Sequence, residues 1–304
     1  MVSLMRLNGG LLLVLATAVI SGFSIFANKF GVSGINSDVY VFARSLLVSA
    51  FLVGIILLRG QWGKLERLSL PQWRDLALVG LVGGSVPFLL FFKGLQLSSS
   101  ASASFLQKTM FLYVGVLGFV FLKEKANRWF LGAAVLLLVG NFLLLGGMPG
   151  ELNAGNLLVL LATLFWAAEN VFSKHLLKGM DAGVLGFGRM FFGAVFVLAY
   201  LGATGGLGLV GGLSVGAWEW VLVSSVLLLA YVWTWYHGLK HVSATTATSV
   251  LLLGSPITTL LNFAYSGSVV SAGQVAGILL LVAGTVGVAW VFEKRVYATS
   301  TAYP

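Results

Sequence analysis

Phe92-Lys93-Gly94-Leu95-Gln96-Leu97-Ser98 closes one apolar stretch of this sequence, and Tyr236-His237-Gly238-Leu239-Lys240-His241-Val242 closes another about 144 residues further on. Each has an aromatic residue, a polar residue and then Gly-Leu, and each runs into a segment of small side chains. Lys29 is matched in nearly the same register by Lys174, and Phe42 and Arg44 by Phe187 and Arg189. The chain reads as one unit used twice.

Composition says what that unit is. Of 304 residues, 59% are hydrophobic and 9% charged, whereas about a quarter of a soluble domain is charged. A bilayer core about 30 Å thick takes roughly 20 apolar residues per helix. Ten such stretches are present, at 9–30, 37–58, 72–94, 99–122, 128–147, 154–176, 182–203, 216–238, 243–265 and 271–292. They are continuously apolar, unlike the short alternating strands of a membrane β-barrel. Five spans per unit, an odd number, turn the second copy upside down. The expected fold is therefore an all-α integral membrane protein with ten transmembrane helices in two inverted five-helix repeats around a central cavity, 1–150 and 151–298, with a tail at 299–304. Inverted repeats of this kind build secondary transporters. The 39 glycines suit close helix packing in lipid, and Gly80 with Gly84 and Gly273 with Gly277 have GxxxG spacing.

The net charge of +9 follows from topology and needs no nucleic-acid partner. With the N-terminus cytoplasmic, thirteen Lys and Arg fall on that side, among them Arg6, Arg59, Lys64, Arg67, Arg74, Lys123, Lys125, Lys174, Lys178 and Lys240, and two, Lys29 and Lys93, fall opposite. Positive residues collect on the cytoplasmic face, so both termini are expected there, with the chain in the cell inner membrane. Arg6 ahead of an apolar run resembles a signal-peptide start, but the run is too long for one and has a retained counterpart at 154–176. Connections reach about 13 residues at most, around Gly60 to Pro71 and Ala203 to Val215, too few for a soluble domain. Trp62, Trp73, Trp129, Trp218 and Trp220 lie near span ends, where interfacial aromatics belong. Membrane lipids are thus partners; no oligomeric state is specified.

Motifs of other classes fail. The chain has no cysteine, which excludes disulfides, thiolate metal sites and cysteine nucleophiles. Gly206-Leu207-Gly208-Leu209-Val210-Gly211 has dinucleotide-fingerprint spacing but lies between membrane spans, without the strand and helix that the fingerprint needs. No phosphate-binding GxxxxGK[ST] loop exists. His237 and His241 are four apart, yet Gly238 stands where a metalloprotease helix needs glutamate. With three histidines in all, near span ends, no nucleophilic triad is evident. The expectation is no enzyme, no cofactor and no metal.

Polar side chains inside membrane helices are costly and usually face a bundle interior or a wet cavity. Trp166, Glu169, Asn170 and Ser173 fall at i, i+3, i+4 and i+7, one face of a helix. Ser104, Gln107, Lys108 and Phe111 do the same in the fourth stretch, Ser255, Thr258, Thr259 and Asn262 in the ninth, and Thr17, Ser21, Ser24 and Asn28 share a face of the first. Single serines and threonines mostly glue helices together, so the charges carry more weight. Arg44 and Arg189 are repeat mates about two turns inside their spans, where a long side chain snorkels; that favours a structural role. Lys108 and Glu169 have no charged mate, Leu252 and Ser24 being nearest in register, which marks them for function. A direct Lys108 to Glu169 salt bridge is the structural alternative.

The segment from Gly238 to Ser249, followed by Pro256, resembles the ninth-span signature of the drug/metabolite transporter superfamily in its ten-helix EamA-like branch. Phe165-Trp166-Ala167-Ala168-Glu169-Asn170 with Lys174 resembles that branch's sixth span, and Leu122-Lys123-Glu124-Lys125 resembles the acidic segment after its fourth. The resemblance covers essentially the whole chain. It implies alternating access, with spans 1, 3, 4, 6, 8 and 9 around the cavity and spans 5 and 10 outside it. Amino-acid and metabolite exporters of the branch are most similar, one for aromatic amino acids having a tryptophan like Trp166. The chain departs in lacking a fourth-span counterpart of Pro256, with Gln107-Lys108 there instead, and in having Ser266-Gly267-Ser268 where an acidic residue is expected.

The expected function is a secondary transporter moving a small polar metabolite, an amino acid, outward. Its ammonium would sit near Glu169, its carboxylate near Lys108 or Arg44 and its apolar side chain against Trp166, Phe111 and Tyr231. Gln107, Ser104, Asn170 and Asn262 complete the substrate-binding candidates, and Glu169 is also the candidate for a coupling proton. The alternatives are a drug or organic-cation exporter, held by Glu169 and aromatic faces, and a scaffold or sensor that transports nothing.

Overall fold

A computed structural model describes residues 9–124, 128–145, 153–267 and 269–300. Arg6, Lys125, residues 146 and 147 of the fifth stretch, Ser268 and the tail residues 301–304 lie outside them, as does the side chain of Trp129. Among the described residues each apolar stretch forms a helix: α1 (Gly9–Ser33), α2 (Ser37–Leu58), α3 (Leu70–Leu97), α4 (Ser100–Lys108 and Met110–Phe121), α5 (Arg128–Leu145), α6 (Ala154–Leu176), α7 (Ala182–Ala203), α8 (Val215–His241), α9 (Ala244–Ser266) and α10 (Ala272–Ser300). Eight of them are long and apolar enough to cross a membrane, and α5 and α10 carry shorter apolar segments, Leu131–Leu144 and Ala272–Val288. The helices outrun the apolar stretches at several ends, α8 continuing to His241 and α10 to Ser300.

The two halves are built alike. Asn36 caps α2, its Oδ1 accepting from Asp38 N (3.0 Å) and Val39 N (3.2 Å), and its repeat mate Asp181 caps α7 through Gly183 N (2.9 Å) and Val184 N (3.3 Å). Helix α1 packs along α8, and its mate α6 packs along α3, while α2 pairs with α7 and α5 with α10. This is the pairing that a two-fold axis in the membrane plane produces. Glycines set the matching crossings. A Cβ on Gly94 would fall 2.7 Å from Gly155 O, and one on Gly155 2.8 Å from Gly94 O. At the α1–α8 crossing a Cβ on Gly238 would lie 3.1 Å from Gly10 O. Of the GxxxG pairs, Gly80 and Gly84 both face α7 and Gly277 meets Gly140 of α5, whereas Gly273 touches no other helix.

Three irregular turns lie at mid-membrane depth. Helix α3 widens into a π turn at Gly80–Ser85 just before Pro87; proline has no N–H for the carbonyl four residues earlier, that of Gly83. Helix α4 breaks at Thr109, whose hydroxyl donates back to Leu106 O (2.6 Å), and its mate α9 tightens into a 3-10 turn at Leu251–Leu253, ahead of Pro256. Backbone irregularity at this depth is tolerated where protein or a cavity satisfies the freed groups. The Gly-rich segment with dinucleotide-fingerprint spacing is a 3-10 turn, Gly206–Gly212, between α7 and α8.

Candidate functional site

Midway along the helices α1, α2, α3, α4, α6, α7 and α8 enclose a cavity with about 60 Å³ of free volume, room for a handful of waters. One wall is aromatic. Phe88, Phe91 and Phe92 of α3 come to it because i, i+3 and i+4 share a helical face, and Trp166 packs on Phe88 and Phe91 with ring centroids 5.4 and 5.2 Å apart. The indole Nε1 donates to Gly83 O (3.0 Å), one of the partners that the π turn and Pro87 leave room for. Asn170 is fixed on the same face, its Oδ1 accepting from Trp235 Nε1 (2.9 Å), and Tyr231 stacks on Trp235. Ser21, Ser24 and Asn28 of α1, with Gln107 of α4, supply polar lining.

Arg44 and Arg189 enter the cavity from opposite halves, and both are buried. Arg189 is held at every side: Nε and Nη2 donate to Gly83 O (3.2 and 3.0 Å), Nη1 donates to Tyr236 Oη (3.3 Å) and lies 3.9 Å from Glu169 Oε2. Glu169 Oε1 in turn accepts from Ser173 Oγ (2.5 Å) and Tyr236 Oη (2.6 Å). Arg44 has less. Its Nη1 donates to Asn28 Oδ1 (3.3 Å) and Ser224 Oγ (3.1 Å), its guanidinium lies over the Phe92 and Phe88 rings at 4.4 and 4.9 Å, and Nε is buried without an acceptor.

Of the residues singled out from sequence, Trp166, Asn170, Gln107, Tyr231 and Arg44 line the cavity. The other five lie outside the lining. Glu169 is turned to Arg189, and Lys108, 1% exposed, donates to Ser21 Oγ (2.7 Å), so no Lys108–Glu169 salt bridge forms. Phe111 packs into a separate apolar cluster with Leu137, Leu252 and Leu281, Ser104 is buried without a partner, and Asn262 accepts from Ser100 Oγ (3.0 Å) toward the end of α9. Helix α9, expected at the cavity, instead turns its polar face to α1, Thr258 donating to Gly22 O (2.9 Å), while α2 and α7 reach the cavity through their arginines. The three phenylalanines do not stand out in sequence because an aromatic wall has no contrast in a chain this apolar; their i, i+3, i+4 spacing is the available signal.

Beyond the cavity, side chains cap helix ends on either side of it. At the end opposite the termini, Lys29 Nζ donates to Leu95 O (2.8 Å) and Ser98 O (2.7 Å), capping the C-terminus of α3. At the other end its mate Lys174 donates to Leu239 O (2.7 Å) and Lys240 O (3.2 Å), capping α8. On that side Glu124 also accepts from the first N–H groups of α9, Ala244 N (2.8 Å) and Thr245 N (3.2 Å), where a carboxylate suits the positive end of a helix.

Comparison with known proteins agrees with this architecture. The chain is 25% identical over 291 residues to the riboflavin transporter ImpX of Fusobacterium nucleatum, covering 90% of this chain and 95% of that protein. It is 23% identical to the uncharacterized transporter YoaV of Bacillus subtilis over 93% of this chain and 97% of that one. A crystal structure at 17% identity has the same fold, with a TM-score of 0.75 over 93% of this chain and 98% of the other. The model of the EamA-like transporter family matches twice, at residues 8–146 and 153–290, and the chain belongs to that family.

Proposed function

We propose that this multi-pass membrane transporter is a secondary carrier working by alternating access, in the cell inner membrane with both termini cytoplasmic, and that it moves a small polar metabolite, an amino acid, outward. The observation that carries the reading is the mid-membrane cavity itself, aromatic on one wall and polar or cationic on the others, between two repeats whose ends are tied by equivalent lysine caps. In this reading the two equivalent caps are broken in alternation, the one at the open end giving way while the other stays intact. The outward direction follows the exporters that the sequence resembles. Glu169, the buried acid of the cavity's Arg189 network, is the proposed site of a coupling proton.

Counterflow in proteoliposomes tests the reading: vesicles preloaded with an unlabelled amino acid should accumulate the labelled one transiently, and empty vesicles should not. A second reading, riboflavin transport, is supported by the likeness to ImpX and by aromatic walls on which a flat ring could stack. Riboflavin carries no carboxylate, so the same assay run with both solutes separates the two. Absence of counterflow with either would reject both substrate readings.

A further inference from the structure

The repeat places Arg44 and Arg189 at equivalent positions, yet each partner of Arg189 is missing from the position that would serve Arg44. Gly83 O is open to Arg189 because Pro87 has no N–H; the mate of Pro87 is Tyr231, which has one. Tyr236 Oη bonds Arg189, while its mate Phe92 offers Arg44 only a ring face at 4.4 Å. Glu169 lies 3.9 Å from Arg189, and its mate is Ser24. Among the described residues no carboxylate forms an ion pair with Arg44. A guanidinium cannot shed its charge, and a buried cation without a counterion is destabilising. Such a group is a place prepared for an anion.

The rest of the cavity narrows the chemistry. Among the described residues the charged groups in the lining are Arg44 and Arg189, and the carboxylate behind it, Glu169, is already engaged with Arg189, Tyr236 and Ser173. Gln107 Oε1 faces the opposite need: it is a buried acceptor without a donor, on a residue lining the same cavity. We propose that Arg44 receives the carboxylate of the transported solute, that Gln107 Oε1 accepts from a donor on it, and that the solute's body lies along Phe88 and Trp166. This rests on the carrier reading above and deepens it, because it selects carboxylates and rejects organic cations and neutral amides.

The test uses purified full-length protein and pairs of probes that share a body: alanine, phenylalanine and tryptophan, each beside its amide, with phenethylamine as the cation alone. Thermal stabilisation reports binding to the native state, and counterflow reports transport. The expected result is that acids stabilise and exchange whereas amides and phenethylamine do not. Arg44→Gln should bind the acids about 10- to 100-fold more weakly, the range for loss of a charge-assisted hydrogen bond. Without probe it should melt no lower than the parent, since a lone buried charge is gone. Arg44→Lys should recover part of the affinity. Amides or phenethylamine binding the parent as well as the acids do would overturn the proposal and leave the carrier reading standing. An Arg44→Gln protein that keeps the preference for acids would overturn it equally. No response to any acid overturns both. Should Arg44→Gln fail to fold, the comparison of acid with amide in the parent still decides.

Discussion

At the level of single residues, burial and symmetry pulled in different directions. Glu169, Trp166 and Asn170 were legible as one stripe because polar side chains contrast with an apolar helix. The role of the arginines was not: repeat equivalence alone made Arg44 and Arg189 look like a structural pair, and only the three-dimensional partners distinguish them. Lys108 and Glu169, paired by their lack of charged mates, have separate partners, Ser21 for the lysine and Ser173, Tyr236 and Arg189 for the glutamate. A double-mutant cycle on thermal stability should therefore find Lys108→Met and Glu169→Gln additive within about 0.5 kcal/mol. Glu169→Gln with Arg189→Met should couple by about 0.5–3 kcal/mol, because either single change leaves one buried charge alone. Strong coupling between Lys108 and Glu169 would reject this assignment of partners.

Helix by helix, the sequence was readable to within a few residues at most ends, since twenty-residue apolar runs admit few other structures. It could not show which helices line the cavity. Helix α9 carries as clear a polar stripe as α6, but its Thr258 is spent on Gly22 O of α1. Periodicity identifies a face and not the neighbour it meets. Glycine spacing was similarly incomplete: neither Gly94 nor Gly155 belongs to a GxxxG pair singled out from sequence, yet they set the α3–α6 crossing. Gly94→Ala should lower stability by about 1–3 kcal/mol, as overpacking does, because the added methyl would sit 2.7 Å from a backbone oxygen. Gly132→Ala, with nothing within 4 Å of the new Cβ, is the control and should be neutral or slightly stabilising, given alanine's helix propensity. Equal melting temperatures for the two variants would contradict the close crossing.

For the molecule as a whole, the proposed mechanism rests on the inversion of the two halves. The same five-helix unit offers its lysine cap to opposite ends, Lys29 on α3 and Lys174 on α8, and the proposed alternating access calls for two arrangements related by the repeat axis. The end that bears the Lys174 cap has the additional Glu124 clasp on α9, where the opposite end has no acidic counterpart in sequence. The chain has no cysteine, so one introduced at Ser24, in the cavity lining, is its sole thiol. Its rate of reaction with a membrane-impermeant thiol reagent, in right-side-out and in inside-out vesicles, reads access to the cavity from each face. Alternating access requires labelling from both faces, with Lys29→Met accelerating it only from the outer face and Lys174→Met only from the cytoplasmic face. Labelling from one face alone in the parent and in both variants would contradict alternating access to this cavity.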